Sequence, residues 1–267
     1  HKDTSNPNLI RYAHCFPDLY EVGMSHLGSH ILYHVINKDE DVFCERVYSP
    51  AVDMENIMRE KNIPMFALES REPITNFDFV TFTLQYELSY TNILNILDLA
   101  NIPLLREDRK LDDPFILVGG PCAYNVEPLA DFVDIVILGE GEEVNLEVIN
   151  AYKEWKKNKT TREDFLLKVA KIEGVYIPSF YDVIYNEDGT VKEVLPNREG
   201  VPAKVRKRII RDVETVDYPD RLIVPYIDTV HNRVVLELFR GCTRGCRFCQ
   251  AGMIYRPIRE KSVDRLK

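Results

Sequence analysis

The chain has 267 residues, 45% hydrophobic and 29% charged, with a formal net charge of −9 at pH 7. That suits a globular protein of one large domain or two ordinary ones; no run approaches the roughly 20 apolar residues of a membrane helix, and the acidic balance disfavours nonspecific binding to nucleic acid or anionic lipid. The start, His1-Lys2-Asp3-Thr4-Ser5-Asn6, has neither an initiator Met nor the apolar core and cleavage pattern of a signal peptide, so the sequence is expected to be cytoplasmic and cut from a longer protein.

In chain order, Leu9–Phe16 reads as a strand that stops at Pro17, and Ser25–Asn37 as a helix with Leu27, Ile31 and Val35 on one face. Val42–Tyr48 follows as a strand and Asp53–Lys61 as a short helix with Ile57 and Met58 inward. Met65–Leu68 and Phe79–Leu84 are strand candidates, Thr91–Ala100 is helical, and Phe115–Val118 and Val133–Leu138 are short apolar strands. Glu142–Lys156 carries Val144, Val148, Tyr152 and Trp155 on one helical face, and Thr161-Arg162-Glu163-Asp164 has the form of a capping box opening another helix. Strands alternating with helices at this spacing predict an α/β fold with a doubly wound parallel sheet over residues 1–172.

Residues 173–230 change character. Val183–Tyr185 and Val191–Val194 flank Asn186-Glu187-Asp188-Gly189, a β-hairpin pattern, and Pro196, Pro202, Pro219 and Pro225 punctuate a connector. Val234–Phe239 then reads as a new strand running into Phe239-Arg240-Gly241-Cys242-Thr243-Arg244-Gly245-Cys246-Arg247-Phe248-Cys249, so a further unit is expected over 231–267.

Of the six cysteines, Cys15, Cys44 and Cys122 lie scattered beside apolar runs and read as inert thiols of a reducing compartment. Cys242, Cys246 and Cys249 fall within eight residues. Iron–sulfur clusters are held by thiolates, and three ligands on a four-iron cluster leave one iron open. Gly241 and Gly245 permit a tight loop, and Arg240, Arg244 and Arg247 can offset the negative charge of the thiolates and sulfides. A structural zinc site would need a fourth ligand; no Cys or His follows Cys249, and the nearest upstream histidine is His231.

The spacing Cys-x-x-x-Cys-x-x-Cys after a strand, with Phe248 before the last cysteine, resembles the radical-SAM superfamily. The stretches Phe16–Gly28 and Gln250–Pro257 are similar to a branch joining an N-terminal cobalamin-binding-like domain to a radical-SAM domain. The resemblance implies that Cys242, Cys246 and Cys249 ligate a [4Fe–4S] cluster. Its open iron would chelate S-adenosylmethionine (SAM), cleaved by one electron to methionine and a 5′-deoxyadenosyl radical. From Val234 to Lys267 there are 34 residues, whereas a (β/α)8 barrel needs about 200. Only the first strand, cluster loop and helix start at Ser262 of a truncated barrel are therefore expected, and residues 1–267 alone are expected to be inactive.

In a doubly wound sheet, ligands sit beyond the carboxyl ends of the strands. No Gly-x-Gly-x-x-Gly or Walker A motif occurs, and Glu140, Glu142 and Glu143 would repel a pyrophosphate, so NAD or ATP is not expected there. A neutral ligand rich in amides and hydroxyls fits better, since carboxylates accept N–H and O–H bonds. The loops Gly119-Gly120-Pro121 and Gly139-Glu140-Gly141-Glu142 resemble those of cobalamin-binding domains attached to radical-SAM enzymes. With Gly23, Ser25 and His26 they form the candidate cofactor-binding set. Many such domains supply a cobalt ligand from Asp-x-His-x-x-Gly. None of His1, His14, His26, His30, His34 or His231 has Asp two places before it, so ligation by that motif is excluded. A true cobalamin site and a degenerate scaffold whose glycines only make tight turns both remain open.

Two weaker signals stay open as well. His26, His30 and His34 repeat along one helical stripe, as a boundary face, a metal pair or, at His26, part of the ligand cleft. Lys204–Arg211 holds five basic residues and reads as a solvated β edge or as an RNA-binding strip. Three functions follow: a radical-SAM enzyme performing methyl transfer or another radical modification, a corrinoid-binding or electron-transfer module, and an RNA-associated protein. The partners implied are an unidentified substrate, small molecule or RNA, and an electron donor, with no membrane.

Overall fold

The computed structural model describes residues 2–219, 221–231 and 233–267; His1, one of the six histidines compared above, lies outside them. Its centre is a six-stranded sheet in the order β2-β1-β3-β4-β5-β6. The strands are β1 (Ile10–Phe16), β2 (Val42–Tyr48), β3 (Phe79–Thr83), β4 (Phe115–Gly119), β5 (Ile135–Ile137) and β6 (Val175–Tyr176). Neighbours from β2 through β5 pair parallel. The expected doubly wound sheet therefore forms, with an unforeseen antiparallel strand, β6, closing one edge against β5. The five parallel strands are almost wholly buried, as strands covered on both faces must be, and they bury polar residues too: Arg11 and His14 on β1, Glu45 on β2, Thr81 and Thr83 on β3.

One face is covered by α3 (Val52–Lys61) and α4 (Tyr90–Leu99), which contribute Met58, Ile93, Ile96 and Leu97 to a core with Val80, Phe82, Ile116 and Val118. The other is covered by α2 (Leu27–Asn37), α5 (Gly141–Asn158) and α6 (Arg162–Val169), which follow α1, a single turn at Tyr20–Gly23. Here Phe79, Phe115, Tyr152, Trp155 and Phe165 interlock, with several edge-to-face pairs at 4.8–6.2 Å between centroids. Thr161 and Asp164 form the anticipated capping box at the start of α6.

Three readings change. Ile57 is 54% exposed while Met58 is buried, because adjacent helical residues lie about 100° apart and only one can face the sheet. Met65–Leu68 does not join the sheet: its backbone bonds go to Leu99, Arg46 and Glu72, folding the segment into a loop that covers the edge strand β2. The run Val234–Phe239 pairs only at its end, where β9 (Phe239–Arg240) meets β10 (Arg259–Glu260) antiparallel. Between the sheet and this C-terminal pair stands the expected hairpin, β7 (Tyr181–Tyr185) with β8 (Val191–Pro196). Two short helices, α7 (Ala251–Ile254) and α8 (Val263–Leu266), complete the elements.

Candidate functional site

Residues two apart on a strand share a face. On the α2–α5 face the inward positions run Ile10, Tyr12, His14 on β1; Phe79, Thr81, Thr83 on β3; Phe115, Leu117, Gly119 on β4; and Ile135, Ile137, Gly139 along and just past β5. Towards the carboxyl ends the side chains shrink or turn polar. The large rings fill one half of the face, and the other half is left open as a cleft of about 410 Å³. Such a volume suits a small-molecule site. It lies at the topological switch point, since β2 and β3 flank β1 on opposite sides.

The cleft is closed along its sides by Leu27, Gly28, Ile31 and Leu32 of α2 and by Gly141, Glu142 and Asn145 of α5. Its remaining wall comes from far along the chain, from Glu237, Phe239, Arg240, Gly241 and Tyr255. Inside, Tyr12 Oη donates to Asn145 Oδ1 at 2.7 Å, and Asn145 Nδ2 donates to the Gly141 carbonyl at 2.6 Å, tying β1 to the start of α5. Gln85 Nε2 donates to Thr83 Oγ1 at 2.7 Å.

Two histidines face the cleft in neutral form. His14 Nε2 is buried and has no hydrogen-bond partner among the described residues. Burial, reinforced by His26 and His30, pushes its pKa down to about 3. His26 caps α2: its Nδ1 accepts from the Ser29 N–H at 3.1 Å, and burial with the nearby His30 lowers its pKa to about 4. A buried imidazole without a partner is costly, so His14 offers an unused bonding site beside Thr81 and Thr83 in the cleft wall.

Of the candidate cofactor-binding residues, His26, Gly119, Gly120, Pro121, Gly139, Glu140, Gly141 and Glu142 all line this cleft. Gly139 has a second duty. Its φ is +107°, and a Cβ there would sit 2.1 Å from the Arg208 carbonyl oxygen, because residues 207–210 pass directly against the end of β5. Gly23 and Ser25 are not among the lining residues. Gly23 lies under the Tyr48 ring, where a Cβ would come within 2.3 Å of Cε1, and Ser25 Oγ donates to the Glu21 carbonyl and accepts from the His231 N–H. The polar positions Tyr12, His14, Thr81 and Thr83 escaped sequence reasoning. Their signal is polar residues at alternate positions, so on one face, of β1 and β3, and His14 and Thr81 are register partners.

The carboxylates at the cleft are already paired with cations: both oxygens of Glu140 and one of Glu142 are taken. Glu140 Oε1 meets Arg240 Nη1 at 3.3 Å, while its Oε2 accepts from Arg259 Nη1 at 2.6 Å and from the Ile210 N–H at 2.5 Å. Glu142 Oε1 accepts from Arg240 Nη2 at 2.5 Å. Glu237 completes the group: burial raises its pKa, but hydrogen bonds from Arg240 and Lys261 outweigh that and hold it low. Arg240 is thus engaged by carboxylates rather than offsetting charge at the cysteines.

Cys242 and Cys249 are half-buried and Cys246 is exposed, and all three are free thiols. Among the described residues no three His, Cys, Asp or Glu side chains are grouped to hold a metal ion, which covers the His26, His30 and His34 stripe too. His30 Nε2 lies 2.8 Å from the Met24 carbonyl, and His34 faces Asp217. In the basic strip, Arg208 pairs with Glu143 and Glu147, and Lys207 Nζ donates to the Ile254 and Arg256 carbonyls at 2.7 and 2.6 Å. No helix among the described residues is long and apolar enough to cross a membrane.

A family model described as radical SAM proteins, N-terminal, matches residues 28–178. An uncharacterised protein of Methanocaldococcus jannaschii is 29% identical over 256 residues, covering 94% of this chain and 43% of its own length. A solved structure of TsrM, a radical S-adenosylmethionine methyltransferase from Kitasatospora setae with tryptophan substrate and a SAM analogue (aza-SAM) bound, covers 96% of this chain and 44% of its own. That likeness has a TM-score of 0.47 and 14% identity. The chain spans less than half the length of either protein.

Proposed function

The chain belongs to the family of radical SAM proteins, which it matches at their N-terminal region, and from that premise we propose that it forms the cofactor-holding half of a radical-SAM enzyme. One observation carries the reading: a wall of the cleft is made by Glu237, Phe239, Arg240 and Gly241, which run directly into Cys242. Whatever the cleft holds lies beside the cysteine loop.

Cys242, Cys246 and Cys249 would hold a [4Fe–4S] cluster. Their chemistry fits, being three free, accessible thiols within eight residues. The root of their loop is also fixed: Gly241 packs so closely that a Cβ would lie 2.7 Å from the Pro257 carbonyl oxygen and the Ile258 Cα. When bound, such a cluster supplies the electron that cleaves SAM. The cleft itself fits the neutral, nitrogen-bearing part of a corrinoid. His14 Nε2 is unpartnered, Thr81, Thr83 and Gln85 are uncharged, and the nearby carboxylates are already neutralised by arginines. The protein's own work is to seat this ligand, keep His14 and His26 unprotonated against it, and exclude water behind the apolar wall of α2.

Anaerobic reconstitution of the full-length protein with iron and sulfide tests this. The wild type is expected to bind about four irons per chain and release 5′-deoxyadenosine from SAM, and Cys242→Ala, Cys246→Ala and Cys249→Ala to lose both. Iron uptake without any 5′-deoxyadenosine would replace the enzyme reading with an electron-transfer module. Titration with hydroxocobalamin, followed by visible spectra, tests the cleft; unchanged spectra at excess ligand would remove the corrinoid.

A further inference from the structure

We propose that Glu140 and Glu142 are positioning residues that dock the cysteine loop onto the sheet through Arg240. The inference rests on the reading that Cys242, Cys246 and Cys249 form the reactive centre.

Three carboxylates, Glu140, Glu142 and Glu237, face three cations, Arg240, Arg259 and Lys261, in one cluster of equal and opposite charge. Its side chains are only 4–17% exposed. Glu142 and Arg240 are 98 residues apart in sequence, so the cluster is a tie between two distant segments. Pairs this buried are screened little by solvent, and removing one partner strands the other.

The placement of the ties gives them their meaning. Arg240 stands two residues before Cys242, with Gly241 between them locked against Pro257 and Ile258, so little slack separates the anchor from the first thiol. On the far side of the loop, Lys207 Nζ holds the Ile254 and Arg256 carbonyls, and Arg259 reaches both Glu140 and the Ile210 carbonyl. The loop over 242–250 is therefore pinned at both ends to residues that border β5. Glu140 and Glu142 open α5 beside the cleft, so the same two side chains set where the thiols sit relative to whatever the cleft binds. A displacement of about 1 Å at a reacting centre costs about 10²-fold in rate.

A double-mutant cycle on the full-length protein tests the docking with Glu142→Gln, Arg240→Gln and the double variant. Amide exchange is read over 237–241 and 254–261 before iron is added. Each single variant is expected to exchange about tenfold faster there, and the double no faster than the worse single, since the two act as one contact. After reconstitution, iron content and the KM for SAM are expected to stay within about twofold while kcat for 5′-deoxyadenosine falls by about 10²-fold. Glu140→Gln, which removes the charge while keeping the shape, supplies a second variant with the same expected pattern should Arg240→Gln fold poorly. Unchanged exchange in the single variants, or strictly additive effects in the double, would overturn the proposal. If the wild type itself forms no 5′-deoxyadenosine, the radical-SAM reading fails, and the exchange cycle still decides the docking.

Discussion

His14 shows how a single residue links burial to pH. Its imidazole is neutral in the folded protein down to about pH 3, because burial penalises the charged form, whereas an unfolded histidine titrates near 6.5. Above pH 6.5 both states are neutral and the residue contributes no pH dependence. As pH falls from about 6.5 towards about 3, the unfolded state takes up a proton that the folded state refuses, so stability drops. His14→Phe keeps an aromatic ring at a position that borders free space in the cleft. It is expected to narrow the stability difference between pH 7 and pH 5 by about 1–2 kcal/mol, read from urea midpoints at the two pH values. A variant that keeps the full acid sensitivity of the wild type would mean that His14 is not held neutral by the fold.

At the scale of elements, Asp134, just before β5, anchors several parts of the fold at once. Its Oδ2 accepts from Arg109 Nη1 at 3.0 Å, from Arg162 Nη2 at 3.2 Å and from the Ile116 N–H at 2.8 Å, with only 4% of the side chain exposed. It binds β4, the loop at Arg109 and the start of α6 together. Asp134→Ala leaves Arg109 and Arg162 with backbone carbonyls but no carboxylate, and is expected to cost about 3–5 kcal/mol, measured by denaturant unfolding; a loss below about 1 kcal/mol would show that those carbonyls suffice. These elements were legible in the sequence wherever the information is local. Apolar periodicity located the parallel strands, the long face of α5 and the capping box at Thr161, and the glycine-rich ends of β4 and β5 pointed to the cleft. What was not legible is nonlocal. The two-residue edge strand β6 exists only because β5 offers it an open side, and Met65–Leu68 has strand composition but divides its bonds among the end of α4, one residue of β2 and the loop at Glu72. Glu140 and Glu142 read as ligand acceptors because the arginines that neutralise them arrive about a hundred residues later. His14 was passed over because a lone histidine in an apolar strand reveals its orphaned nitrogen only when α2 has been packed above it.

For the molecule as a whole, the consequence is that the cleft belongs to no single part of the chain. Its floor is the sheet, its sides are α2 and α5, and its remaining wall is Glu237, Phe239, Arg240 and Gly241 with Tyr255. A ligand filling it touches all three at once, and binding to the native state alone adds stability in proportion to occupancy, about 2.7 kcal/mol at a free concentration 100 times Kd. With hydroxocobalamin as the probe, amide exchange in the full-length protein is expected to slow together at 119–121, 139–142 and 237–241. The last segment carries the information, because it leads directly into Cys242. Protection confined to 119–121 and 139–142 would mean that the ligand sits on the sheet without reaching the wall beside the cysteines, and the link between cleft and cysteine loop would be lost. Protection of 237–241 in the wild type that disappears in Glu142→Gln, while the two glycine-rich loops stay protected, would place the coupling in the Glu142–Arg240 contact itself. The charge cluster would then be the element through which an occupied cleft holds the thiols in place.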